Sequence, residues 1–493
     1  MSSPEPLCGA LAGFILVRFL VFWIIANRFP NYRTAWTLRP EYSKNAKFDY
    51  EKSKGGLGVY NTLAELKTQE FENVEKTYND ISSKLRDIGE IRFYKVFGVT
   101  YLAYLAKVNK LETAKELSDY VAEQLPIEQG LFLKESVNNS WSMVIEISGA
   151  YSAATLLATV LWMQPSNGKA EGENGTPDSI INLANKILDV KQEKVADFCC
   201  GVGNFLMNAV GQDSSSNYYG IELNTQSKEI AEIRLHLLSD EIKIDLGSVF
   251  DIVADQKFDK IFCDYPWSVP KNSTWISEET MSKFDAIIPE MQRLQKSDWL
   301  FIMNVIQHLN EDGKAVVVTT NGITWNGGID RIIREKFVKM GYIEAVISLP
   351  ANMYSTTAIP TSMIVFSKAN KTIRMIDAGS LASVGRRQNY LSHETIEEIA
   401  FMMTKDSDKS KSVTFEDIEK EDYAINPARF LQVEADVENG VPFENVISNI
   451  TRGAQVKANI LDDLVSEEPT DCQYLMLSNI CLLYTSPSPR DTR

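Results

Sequence analysis

From residue 178 onward, short runs rich in β-branched and apolar residues alternate with segments of helical periodicity, and this alternation is the tightest constraint on the fold. Runs at 195–199, 218–222, 242–246, 260–263, 315–319, 343–348 and 362–366 read as strands; 178–188, 204–210, 225–238, 291–309 and 330–340 read as helices. Parallel strands need a crossover between them, usually a helix, so the pattern predicts an α/β, doubly wound, mainly parallel sheet. Ligand is then expected beyond the carboxyl ends of the strands. The last two runs have no helix between them and are expected to form an antiparallel edge hairpin.

The remainder of the chain divides around this core. Residues 45–165 place apolar residues at three- to five-residue intervals between charges, which predicts an α-helical domain. A stretch rich in Pro, Ser, Asn, Gly and Glu at 164–177 reads as a linker into the α/β domain at 166–432. A further domain begins at 433–480, and 481–493 reads as a non-native tail. Residues 1–44 carry an apolar run, 7–26, long enough to span a bilayer but interrupted by Arg18, at a cost of about 2.5–3.5 kcal/mol. That argues against a membrane anchor; a buried helix and a non-native start are the other readings.

The six cysteines are scattered without paired CxxC spacing, and the three histidines lie far apart, so neither a disulfide scaffold nor a metal site is expected, and a reducing cytoplasm is the simplest setting. The net charge of −16 means that any contact with nucleic acid must come from a local basic surface or a partner subunit.

Three clusters carry chemistry. Asp197 stands in the first strand, and Gly201 and Gly203 follow in a turn that opens a helix, where glycine lets backbone approach a ligand. Glu222 ends the next strand about 20 residues on, where a carboxylate can accept both hydroxyls of a ribose. An adenosine-containing ligand is the leading reading. The third glycine of GxGxxG is missing, so S-adenosylmethionine fits better than NAD. Asp264-Tyr265-Pro266-Trp267 follows the fourth strand at once, and a polar side chain, a rigid turn and an aromatic together form a clamp for an amino group on a flat ring.

Residues from about 170 to 432 resemble the modification (methyltransferase) subunit of type I restriction-modification systems, within the N6-adenine DNA methylases. The family's Asp-Pro-Ala-Cys-Gly-Ser-Gly-Gly-Phe motif is matched by Asp197, Cys200, Gly201, Gly203 and Phe205. Its Thr-Pro element is matched by Thr176-Pro177, and its Asn-Pro-Pro-Phe motif by Asp264-Tyr265-Pro266-Trp267. Similarity continues through His308-Leu-Asn-Glu-Asp-Gly-Lys-Ala, Leu349-Pro-Ala-Asn-Met-Tyr and Ile425-Asn-Pro-Ala-Arg-Phe. Residues 441–480 resemble the opening of a target-recognition domain from a specificity subunit. The resemblance implies a seven-stranded S-adenosylmethionine-dependent methyltransferase fold with an N-terminal helical domain and a truncated C-terminal one. It implies site-specific methylation of a flipped-out adenine in double-stranded DNA. The implied partners are a nuclease-translocase subunit and further modification or specificity subunits.

Three positions depart from the family. Asp264 and Tyr265 stand where Asn and Pro are usual, and Ser248 stands where an acidic residue usually follows the third strand to meet the cofactor's adenine. If the clamp works as in the family, Tyr265→Pro is expected to preserve or raise turnover. Two alternatives stay open: methylation of RNA or of a protein amine, and a methyltransferase-like subunit that binds cofactor or DNA without turnover.

Overall fold

The computed structural model describes residues 63–87, 93–125, 127–164, 175–239, 242–271, 276–355, 357–386 and 388–431, with Asn445. The chain divides into two units after Gln432, and all the described residues except Asn445 lie in the first. The apolar 7–26 run and the tail at 481–493 lie outside the described residues, as does all of 433–480 except Asn445.

Among the described residues five helices come first: α1 (Leu63–Asp87), α2 (Phe93–Asn109), α3 (Ala114–Gln124), α4 (Ile127–Ala150) and α5 (Ala153–Trp162). Local chemistry sets their starts. Thr113 and Glu116 form a reciprocal capping box at α3, and the Ser152 hydroxyl accepts the Thr155 N–H at α5. Helix α2 is buried without a break from Val96 to Ala106, which makes it the centre of the helical layer. No single helix among the described residues is long and apolar enough to cross a membrane.

The alternating region follows: α6 (Asp178–Leu188), β1 (Lys194–Phe198), α7 (Asn204–Gln212), β2 (Asn217–Glu222), α8 (Thr225–His236), β3 (Ile242–Leu246), β4 (Phe258–Cys263), α9 (Glu278–Ile287), α10 (Asp298–His308) and β5 (Leu309–Thr320). Next come α11 (Gly322–Trp325), α12 (Ile329–Lys339), β6 (Ile343–Ser348), β7 (Thr361–Phe366), β8 (Thr372–Asp377), α13 (His393–Met402), β9 (Ser410–Thr414), α14 (Phe415–Lys420) and α15 (Ala428–Leu431). The strands form one sheet in the order β3-β2-β1-β4-β5-β7-β6-β8-β9. All seven expected strands are present. The sheet has nine, because β8 and β9 extend it; their sequences, Thr-Ile-Arg-Met-Ile-Asp and Ser-Lys-Ser-Val-Thr, carry too many polar residues to read as strands.

Two further expectations are corrected. Strands β6 and β7 do pair antiparallel, but not at an edge: β7 inserts between β5 and β6, antiparallel to both, and all six of its residues are buried. The expected helix at 291–309 begins only at Asp298, and Met291 lies in a separate single turn. The segment between is drawn out of helix by backbone bonds to the loop after β4, Lys271 N–H to Gln295 O and Ser297 N–H to Val269 O, each 2.9 Å.

Because side chains alternate across a strand, the sheet buries two cores. Phe262, Val316, Val318 and Val365 face one that includes the helical layer, α6, α7 and α8. Ile261, Cys263, Val317 and Phe366 face the other, with α10 and α12. Arg234, fully buried, joins the helical layer to the turn after β1. Its guanidinium donates to the Val160 and Met163 carbonyls on one side and to the Val202 carbonyl and Asn204 Oδ1 on the other. Phe93 and Phe97 lie under it, and burial brings its pKa down to about 9.

Tyr265 belongs to the second core. Its ring stacks on Phe301 at 4.7 Å and 6°, its hydroxyl lies 2.6 Å from Thr319 Oγ1, and it donates to buried Asp298 at 3.3 Å. Asp298 Oδ1 also accepts the Ser268 N–H at 3.2 Å, so this carboxylate ties down the loop on both sides of Pro266. Proline at 265 would empty the ring's place and leave Asp298 short of a donor, which reverses the expectation for that substitution. Tyr265→Phe should cost about 1–3 kcal/mol through the lost hydroxyl, and Tyr265→Pro about 3–5 kcal/mol through the cavity. Urea unfolding of the two variants checks the order; a Pro variant as stable as wild type would contradict it.

Candidate active site

The pairing of β1 fixes the geometry. In register, Phe198 faces Ile221 of β2 on one side and Cys263 of β4 on the other, both parallel. Glu222 and Asp264 are each one residue past those partners and therefore emerge at the same edge, with Asp197 one residue inside it. The strand order reverses between β1 and β4, the switch point where such sheets bind ligands.

A cavity of about 540 Å³ opens here, within the range of about 300–1,000 Å³ typical of small-molecule sites. Gly201, Glu222, Ser248, Asp264, Tyr265, Pro266 and Trp267 line it, together with Asn224, Phe301 and Tyr354. Among the described residues no Lys, Arg or His lines it. Among the described residues no group of three or more His, Cys, Asp or Glu is arranged to hold a metal ion.

Each carboxylate has a distinct setting. Glu222 Oε2 accepts the Gly201 N–H and Oε1 accepts the Asn224 N–H, both at 2.8 Å, so this side chain ties the turn after β1 to the start of α8. Gly201 has φ +54°, a conformation that favours glycine. Asp197 is buried behind the wall; burial first, then the nearby Asp264 and Glu222, push its carboxyl well above the usual range. Asp264 lies at the cavity itself. Thr176 Oγ1 donates to its Oδ2 at 2.7 Å and the Tyr354 hydroxyl donates to the same oxygen at 2.8 Å. Burial lifts its carboxyl to about 6 against the pull of these hydrogen bonds. Trp267 is pinned beside it, its indole N–H donating to Val318 O at 3.2 Å and its ring edge-on to Tyr354 at 4.8 Å and 83°.

Other residues singled out in the sequence stand back from the cavity. Thr176 enters through Asp264, while Pro177 starts α6. Cys200 is buried, and Phe205 stacks on Phe262 at 4.4 Å inside the core. Gly203, at φ +84°, has Ala231 and Leu235 so close that an added Cβ would lie 3.2 Å from each, which lets α7 start against α8. Ser248 Oγ accepts the Phe250 N–H at 3.3 Å and so caps a short turn at the cavity's rim. Tyr354 was not among the expected site residues: it lies 90 positions from Asp264 and only the packing of β6 beside the other strands brings it there.

The family model for the N-6 DNA methylases matches residues 160–439. The methylase subunit of the type I restriction enzyme MpnII from Mycoplasma pneumoniae is 26% identical over 306 residues, 55% of this chain and 55% of that one. The MjaIX methylase subunit from Methanocaldococcus jannaschii is 25% identical over 315 residues, 56% and 54% of the two chains. The chain thus spans about half the length of the curated relatives it matches. In structure, the methyltransferase subunit of a type I restriction-modification system from Streptococcus thermophilus shares the fold, with a TM-score of 0.55 and 18% identity over 73% of this chain and 98% of that one. The matched stretch contains every strand of the sheet and every loop that builds the cavity, and the chain belongs to the N-6 DNA methylase family.

Proposed function

We propose that this chain transfers a methyl group from S-adenosylmethionine to the N6 amine of an adenine flipped out of double-stranded DNA, at specific sites, as the methylase part of a type I-like restriction-modification system. The observation that carries this reading is the acidic cavity at the switch point, in which Asp264 is held by two hydroxyls at the head of the Asp-Tyr-Pro-Trp turn. The names of the relatives, methylase subunits of type I restriction enzymes, support the same activity. They also support partnership with a nuclease-translocase subunit and with further modification or specificity subunits.

The residues fit the cofactor. Glu222 and Asp264 bring two carboxyl groups to a cavity that no described Lys, Arg or His lines, with Asp197 behind them, a setting that favours a ligand bearing positive groups. Glu222 keeps lone pairs beyond its two backbone donors for the ribose hydroxyls, and the apolar sides of Val249 and Phe250 suit the adenine. When bound, the cofactor supplies an activated methyl on a sulfonium.

The protein's part is positioning and electrostatics. The lone pair of an exocyclic amine is delocalised into the ring. Asp264 and the Tyr265 carbonyl accept the two N–H bonds of the adenine amine and localise that pair toward the methyl. Asp264 Oδ2 already accepts from both Thr176 and Tyr354, so Oδ1 has the greater remaining capacity to accept from the amine. Trp267, fixed by Val318 and Tyr354, stacks on the extruded base, a contact worth about 1–3 kcal/mol.

Duplex DNA with tritiated S-adenosylmethionine tests the reading: label on adenine N6 is expected, and label on RNA or protein alone would overturn it. Asp264→Ala should abolish transfer while leaving cofactor affinity within a few fold. Because the ionised carboxylate is the acceptor, transfer should fall as pH falls through about 6, or somewhat lower once the cofactor's charge is present. Asp264→Asn, which restores the family's usual residue, should keep activity and lose this acid limb. Glu222→Ala should weaken cofactor binding by about 1–3 kcal/mol; unchanged affinity by calorimetry would remove Glu222 from the site.

A further inference from the structure

The edge that holds Asp264 continues beyond it. Strand β5 is parallel to β4, β7 is antiparallel to both β5 and β6, and β8 is parallel to β6, so the loops leaving β5, β6 and β8 all open on the side of the cavity. Large apolar side chains stand exposed in these loops: Trp325 after β5, Ile359 after β6, and Val384 and Tyr390 after β8. Val384, 87% exposed, is the most exposed large apolar residue among those described. Exposed apolar groups on neighbouring loops at one edge of a sheet are a feature of interaction sites when they form a patch.

A loop after β8 is closed by a bridge between Ser383 and Tyr390. Ser383 and Tyr390 exchange both backbone hydrogen bonds, at 2.9 and 3.0 Å. Its tip turns tightly at Gly385, where a Cβ would fall 2.2 Å from the Gln388 carbonyl oxygen. Its base is fastened to the catalytic region: the Asn389 N–H donates to Asn352 O at 2.7 Å and its side-chain amide donates to Ala351 O at 2.9 Å. Two residues beyond Asn352, Tyr354 donates to Asp264. Arg386 is exposed at the tip and makes no hydrogen bond or ion pair within the described residues. Neither a spare guanidinium nor an exposed valine at this tip stabilises the fold. In a chain of net charge −16, both side chains suit a polyanion with an apolar edge.

We propose that the loop closed by Ser383 and Tyr390 grips the DNA backbone beside the extruded adenine through two of its described residues, with Arg386 bonding a phosphate and Val384 packing against the adjoining sugar or unstacked base. This rests on DNA being the substrate. The rigid fastening through Asn389 sets the distance between that phosphate and Asp264, so the loop positions the nucleotide as well as holding it.

The test is binding of the full chain to fluorescent mixed-sequence duplex DNA across a series of salt concentrations, with S-adenosylhomocysteine present. Loss of one phosphate contact flattens the plot of log K against log salt by about 0.9. Arg386→Gln should show that change with affinity lowered about 3- to 10-fold, Arg386→Glu should lower it further, and Arg386→Lys should retain most of it. Cofactor affinity should be the same in all. Wild-type affinity and slope in both Arg386→Gln and Arg386→Glu would overturn the loop's grip alone. Weaker binding with an unchanged slope would also overturn it, since the residue would then act on structure and not on a phosphate. A wild-type chain that binds cofactor but no duplex DNA would overturn the DNA reading beneath it.

Discussion

The site depends on the parallel pairing of β1 with β2 and β4. That register brings the ends of three strands to one edge, and each end carries a carboxylate: Asp197, Glu222 and Asp264. Gathering them has an electrostatic cost. Asp197 is pushed well above the usual carboxylate range by burial and by its two neighbours, and Asp264 is lifted to about 6. A structural cluster would be expected to enlist a lysine or arginine. Among the described residues none lines this cavity, a setting that leaves the compensating charge to a ligand.

The surrounding structure keeps that arrangement in place. Thr176 and Tyr354 approach Asp264 from segments far apart in sequence and hold one carboxylate oxygen between them. Asp298 secures the loop that follows through Tyr265 and Ser268. Arg234 fastens the helical layer to the turn after β1 with carbonyl acceptors and an amide, so helices α1 to α5 act as the outer support of the cavity's β1 side. Removing any of these would shift the geometry of the site without touching a ligand.

Much of this was legible in the sequence because strand and helix periods differ and because motif residues sit at strand ends. Asp197 stood out by its place in the first strand, Glu222 by its spacing of about 20 residues from the glycine turn and Asp264 by the polar-Pro-aromatic turn after β4, and the parallel register brings the three to one edge. Strands β8 and β9 were not legible: they are short and polar, and they are strands because they pair with a buried neighbour. Tyr265 misled because the family pattern describes its backbone, whereas its side chain fills the core against Phe301 and satisfies Asp298. Tyr354 closes the Leu349-Pro-Ala-Asn-Met-Tyr run, yet its role, like that of Asn389, exists only through contacts between distant loops.

The central claim is that converging carboxylates make this cavity a receptor for a cationic cofactor, and proton release on binding tests it most directly. Titration calorimetry at a pH near 6, repeated in two buffers of different ionisation enthalpy, counts the protons displaced when S-adenosylmethionine binds. The account predicts net release, because a bound positive charge favours the ionised carboxylates, and less release for S-adenosylhomocysteine, which lacks the sulfonium charge. Equal proton counts for the two ligands, or none for either, would contradict it.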